Sequence, residues 1–177
     1  PFKFNMFEFQ KKKTKTIILI IIFFGIALRF YEINNQNYWW DEMLGFWTAD
    51  PKVTFDETFS RHTNHDYSSI IFHLIMKLYY SLVSYNPEFG RYITATFGCL
   101  SIFFIGILSI QINKNYKPLI LTLIFCSLNS YLISYSQEVR LYSLIFLTSI
   151  INIIFFFRII LEKKKGIFDY LILSIIN

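Results

Sequence analysis

The sequence predicts an all-α, polytopic membrane protein with about four complete transmembrane helices and the start of a fifth. Three observations point there. Of 177 residues, 54% are hydrophobic and 20% aromatic while only 16% are charged, against about a quarter charged in soluble domains. Apolar runs that approach the roughly 20 residues needed to cross about 30 Å of hydrocarbon recur along the chain. Clusters of lysine separate those runs.

The same composition removes other classes. Lys+Arg 17 against Asp+Glu 12 gives a net charge of +5, too little basic surface for a phosphate-tracking face, so no nucleic-acid partner is expected. The apolar content excludes disorder, and a cysteine count of 2 excludes a disulfide scaffold. No fixed-period repeat and no barrel-like alternation is visible. The bias toward Lys, Ile, Asn and Phe fits an AT-rich coding sequence, so part of the Ile and Phe richness carries no function. The chain starts at Pro1 and ends at Asn177 inside an apolar run. Residues 1–177 are therefore expected to be the N-terminal part of one longer transmembrane domain.

The first span is predicted over 16–31 and is short, with Arg29 near its end placed to snorkel outward. No small-residue cleavage site follows Leu28, which favours an uncleaved span over a signal peptide. The second, over 92–112, carries no charge, and the third, over 118–136, has Asn129 as its most polar residue. The fourth covers 141–161 with Arg158 one turn from its end, and a fifth opens at 167–177. Lysines in short loops mark the cytoplasmic side. Lys11, Lys12, Lys13 and Lys15, then Lys114 and Lys117, then Lys163, Lys164 and Lys165 are expected there. That places loop 32–91 and the turn Gln137–Arg140 outside.

Residues 68–85 test this parity. The segment is apolar, but His73 and Lys77 stand one helical turn apart at its middle. A crossing here would put Lys15 and Lys114 on opposite sides. The expectation is an amphipathic helix lying at the outer interface, with Tyr79, Tyr80 and Tyr85 as anchors.

Polar residues collect on the predicted outer face, as Tyr38-Trp39-Trp40-Asp41-Glu42, as Arg61 to Asp66, and as Gln137 to Tyr142. Two readings of the first group stay open. Trp39 and Trp40 suit a headgroup-level aromatic belt, with Asp41 and Glu42 a solvated loop start. Alternatively the carboxylates face a polar cavity, where burial raises a carboxyl pKa unless a cation compensates. Glu138 and Arg140 favour the cavity, because two apolar runs leave them almost no loop to solvate them. His62, His65 and His73 form no closed zinc set with nearby acids, and Cys99 and Cys126 read as packed thiols inside spans. No glycine-rich phosphate cradle is present.

The order of these parts resembles a known family. A Trp-aromatic-Asp-Glu run follows the first span, and a second polar group leads into the interfacial helix. Then come Glu88-Phe89-Gly90-Arg91 and the run Tyr135 to Tyr142, read as Tyr-Ser-Gln-Glu-x-Arg-x-Tyr. Together they resemble the N-terminal part of the GT-C membrane glycosyltransferases, in the group of protein O-mannosyltransferases and lipid A aminoarabinose transferases with their bacterial relatives. The resemblance covers roughly residues 16–161. Many relatives carry a His-Pro-Pro or Lys-Pro-Pro step before the interfacial helix. Here His65-Asp66-Tyr67-Ser68-Ser69-Ile70 has no proline, which shifts the alignment of His65 and Asp66 by a residue or so. Ser68 or Ser69 is expected to cap the helix instead.

The resemblance implies inverting transfer of a sugar from a polyprenyl-phosphate donor to a glycan, lipid or protein acceptor. The site would face the extracytoplasmic side of a bacterial inner membrane. By that match Asp41 is the catalytic base, with Glu42 orienting the acceptor or ligating a cation. Arg91 and Arg140 would hold the leaving phosphate, with His65 and Lys77 as weaker candidates. For Arg91 a snorkelling role stays open, and for Arg140 an ion pair with Glu138. Gln137, Glu138 and Tyr142 would bind sugar hydroxyls. A divalent cation, Mg²⁺ or Mn²⁺, through Asp41, Glu42 and Asp66 is the one cofactor implied, and the sequence leaves it open. A transporter or channel and an inactive assembly relative are the rival readings.

Overall fold

The computed structural model describes residues 2–66, 68–113, 115–161 and 174, with the side chains of 2–12, 160 and 161 left aside. Among the described residues the chain is helical, with no strand. The helices are α1 (Phe2–Phe30), α2 (Trp40–Thr48), α3 (Phe55–His65), α4 (Ile70–Leu82), α5 (Pro87–Asn113), α6 (Tyr116–Leu128), α7 (Ser130–Ser136) and α8 (Tyr142–Leu161).

Among the described residues two helices, Pro87–Asn113 and Tyr142–Ile159, are long and apolar enough to cross a membrane, which is compatible with an integral membrane protein. The number rises to 3 if α6 and α7 make one bent span. Both values fall short of the four to five expected. In α1, Lys13, Lys15 and Arg29 leave a charge-free stretch over 16–28 only, below the roughly 20 residues of a full span. The third expected span is broken, its halves meeting at 54°. Asn129 causes the break. It adopts an extended backbone, and its side-chain oxygen accepts from Leu132 N–H at 3.0 Å, capping a new helix. The expected fifth span lies outside the described residues.

Helix α5 is the centre of the bundle and packs against α1, α6, α7 and α8. Its buried positions include Gly90, Ala95, Gly98, Ser101, Gly106 and Ser109, small residues that let helix backbones approach closely. Where α1 and α6 cross it, Ile102, Leu119, Leu123 and Cys126 form a core lined by Ile18, Ile21 and Ile22. Arg29 does not snorkel. It is 1% exposed and donates to the carbonyls of Gly25 (2.9 Å) and Cys126 (3.0 Å). The bundle covers the end of α1, so the guanidinium finds carbonyls sooner than water. A Cβ on Gly98 would lie 2.6 Å from Ser136 Cβ and 3.0 Å from Arg29 Nε. Gly98→Ala should therefore cost about 1–3 kcal/mol by overpacking, read as a lower thermal midpoint in detergent. An unchanged midpoint would show that α7 and Arg29 yield freely.

Helix α4 is a single short apolar helix, Ile70–Leu82, about 20 Å long and too short to span. Phe72, His73, Met76, Lys77 and Tyr80 are buried on one face, while Ile71, Leu74, Leu78 and Leu82 are exposed on the other. Its expected tyrosine anchors behave differently. Tyr80 is a core residue set edge-on to Phe46 at 5.3 Å. Tyr85 stacks on Phe46 at 4.1 Å and donates to its carbonyl at 3.2 Å. Tyr80 ties α4, and Tyr85 the loop after it, to α2, leaving half-buried Tyr79 as the one anchor candidate among the three. The Lys77 ammonium donates to the carbonyls of Asp50 and Val53, pinning the loop between α2 and α3. Ser69 sits at the N-cap of α4 without a side-chain bond. The expected hydroxyl cap is not made; ahead of the helix the Asp66 carboxylate accepts from Ser68 N–H at 2.9 Å.

Candidate active site

The tandem Asp41-Glu42 falls in the first turn of α2, and the helix sends its two carboxylates apart. Glu42 is 1% exposed. One oxygen accepts from Arg91 Nε (3.1 Å) and Val139 N–H (2.8 Å). The other accepts from Arg91 Nη2 (2.8 Å) and Trp39 N–H (3.1 Å), so the carboxylate also caps its own helix. Arg91 spends its remaining N–H groups on the carbonyls of Ile33 (3.1 Å), Gln36 (2.9 Å) and Asn37 (3.3 Å). Its guanidinium carbon lies 4.2 Å from the centre of the Tyr38 ring. Every strong donor and acceptor of this pair is engaged within the protein. Glu42 and Arg91 thus form the frame of the site, which displaces the expected cation, acceptor and phosphate roles. The snorkelling alternative for Arg91 goes too, since its side chain is 2% exposed.

Asp41 points the other way, its side chain 65% exposed. It lines a cleft of about 190 Å³ together with Trp39, Glu42, Tyr135, Glu138, Arg140 and Tyr142. Two segments distant in sequence, 39–42 and 135–142, meet here because the 137–141 turn hangs from Glu42 through Val139 N–H. Arg140 is loosely held. Nη1 donates to the Asp41 carbonyl (3.2 Å) and to Asp66 (3.3 Å), and Nη2 stands 3.8 Å from the Asp41 carboxylate. Its Nε is buried and has no hydrogen-bond partner among the described residues. The ion pair expected with Glu138 is instead made with Asp66. Burial raises the Glu138 carboxyl above its ordinary range, Glu42 adds to this, and Arg91 opposes it. Tyr135 and Tyr142 tilt against each other at 4.8 Å on the cleft wall.

Behind Arg140 stands a buried acid and imidazole. Asp66 accepts from His73 Nε2 at 3.0 Å, and His73 is fully buried on α4. Burial pushes the Asp66 carboxyl up, but hydrogen bonds from His73 and Ser68 outweigh it and hold the carboxyl below the usual range. An acid with a lower pKa folded than unfolded stabilises the fold above its unfolded value of about 3.9. That contribution is lost as pH falls further toward the folded value. Asp66→Asn should therefore lower the thermal midpoint at pH 7, and the gap to wild type should narrow below about pH 4. A gap constant across that range would show that Asp66 stabilises by shape alone.

Other expected residues stand elsewhere. Gln137 donates to the carbonyls of Leu28 (3.3 Å), Arg29 (3.3 Å) and Tyr31 (2.9 Å), closing the C-terminal end of α1. His65 sets its ring against Trp47 at 5.5 Å and lines a separate apolar hollow with Trp40, Met43 and Leu44. The cation set does not fit well. Glu42 is filled by four N–H donors, and the Arg140 guanidinium lies between Asp41 and Asp66. No group of three or more His, Cys, Asp or Glu suited to a metal occurs among the described residues. Trp39 and Tyr135 are cleft residues that the sequence did not single out for a site. Position was the only available signal, since each lies inside one of the quoted runs. No protein-family model, curated protein or solved structure matches the chain.

Proposed function

We propose that this cleft is the active site of a membrane glycosyltransferase of GT-C type, moving a sugar from a polyprenyl-phosphate donor to an acceptor hydroxyl. The observation that carries the reading is one cleft lined by an exposed carboxylate, Asp41, and by the part-exposed guanidinium of Arg140. Aromatic rings wall it, as sugar faces require. Asp41 takes the acceptor proton as that oxygen attacks the anomeric carbon. The bond from that carbon to the phosphate oxygen breaks, its electron pair leaving with the phosphate. Arg140 neutralises the charge that collects there. Glu138, poised nearer protonation by its burial, hydrogen-bonds a sugar hydroxyl, and Tyr142 does the same. The face carrying the cleft is read as the extracytoplasmic one of a bacterial inner membrane, from the lysine pattern of the sequence.

The test uses the protein in liposomes supplied with labelled polyprenyl-phosphate hexose or pentose. Label should leave the lipid for an acceptor in wild type and stay on it in Asp41→Asn. Failure of wild type with every donor would sink the reading.

A further inference from the structure

Beside the cleft, and sharing Trp39 with it, runs a second open hollow lined by Asn35, Gln36, Asn37, Tyr38, Trp39 and Trp40. Three carboxamides in a row followed by aromatics supply neutral donors and acceptors beside flat apolar faces. That chemistry suits a hydroxyl-rich, uncharged chain, whose sugar rings present C–H faces to an indole and hydroxyls to amides. The surface is also built to hold still. Arg91 grips the backbone carbonyls of Ile33, Gln36 and Asn37, so the loop is fixed while the three amide residues stay exposed. Trp40 is 81% exposed and Trp39 66% exposed, a large area of indole to leave uncovered. The buried Arg91–Glu42 pair supports both hollows, the loop on one side and the first turn of α2 on the other.

We propose that this 35–40 shelf is the acceptor subsite and takes a neutral glycan chain, stacked on Trp40 and Trp39, with its terminal hydroxyl passed beyond Trp39 to Asp41. The assignment names the acceptor class for the transferase reading and rests on it for the final step. Binding itself can be measured without chemistry.

Neutral hexaoses of the gluco, manno and galacto series are titrated into the Asp41→Asn protein in nanodiscs, followed by tryptophan fluorescence and saturation-transfer NMR. At least one should bind. Trp40→Ala should weaken it by about tenfold, the loss of one stacking face, while Trp40→Phe retains most of the affinity. Gln36→Ala, which leaves the backbone carbonyl in place, should weaken binding by a smaller factor. No binding by any hexaose, or binding unchanged in Trp40→Ala, overturns the proposal. Quenching of Trp40 by lipids brominated near the headgroup would also overturn it, because the shelf would then be a membrane anchor. In wild type, hexaose binding without sugar transfer sinks the transferase reading alone. Transfer with an unchanged acceptor KM in Trp40→Ala sinks the shelf alone.

Discussion

Arg91→Met should destabilise the protein by about 3–5 kcal/mol, the range for removing one partner of a buried ion pair. The cost has two sources. The Glu42 carboxyl, 1% exposed, is left with only Val139 and Trp39 N–H to hold it. The carbonyls of Ile33, Gln36 and Asn37 lose their donor at the same time. Arg91→Lys should recover little, because one ammonium cannot reach a carboxylate and three carbonyls in the fan that a guanidinium spans. Adding Glu42→Gln to Arg91→Met should cost less than the sum of the two single changes, since the second removes the stranded charge. Thermal and denaturant unfolding of the four proteins in one detergent checks this. A cost below about 1 kcal/mol for Arg91→Met would place the pair among exposed bridges and end its role as the frame.

The sequence exposed this centre only halfway. It marked Glu138 and Arg140 as cavity residues, because a short turn between two apolar runs leaves its charges nowhere else to go, and only the family resemblance added Asp41 and Tyr142. It could not separate Asp41 from Glu42. In an α-helix adjacent residues point about 100° apart, so two carboxylates that look equivalent in a string face solvent and core. Which faces which depends on where Arg91 and Val139 arrive, and those contacts lie 49 and 97 residues away. Arg29 and Asn129 show the same limit. Both were read by polarity, one as a snorkelling end and the other as a tolerable residue within a span. Their outcomes follow from local competition for carbonyls and N–H groups. The short α4 was better marked, since His73 and Lys77 at mid-segment argue against a crossing whatever packs on them.

Asp41→Asn should reduce sugar transfer by about 10²–10⁴-fold, the usual contribution of a positioned general base, and leave the thermal midpoint nearly unchanged. The separation of these two effects is the informative part. Its carboxylate is 65% exposed, and its ionic contact is Arg140 at 3.8 Å, a surface pair worth at most about 1 kcal/mol. The contact from Arg140 to Asp41 that sits within hydrogen-bond range uses the backbone carbonyl, which the substitution keeps. Glu42→Gln makes the opposite pairing of effects, since its oxygens hold Arg91, Val139 and Trp39. It should lower stability strongly and reduce transfer only as far as the cleft loses its shape. Lowering the temperature should then restore part of the Glu42→Gln activity and none of the Asp41→Asn activity. If Asp41→Asn transfers sugar at the wild-type rate while folded, the proton is taken by another group. Glu138 is then the remaining carboxylate in the cleft with oxygen available to the acceptor, because Glu42 is spent on its four donors.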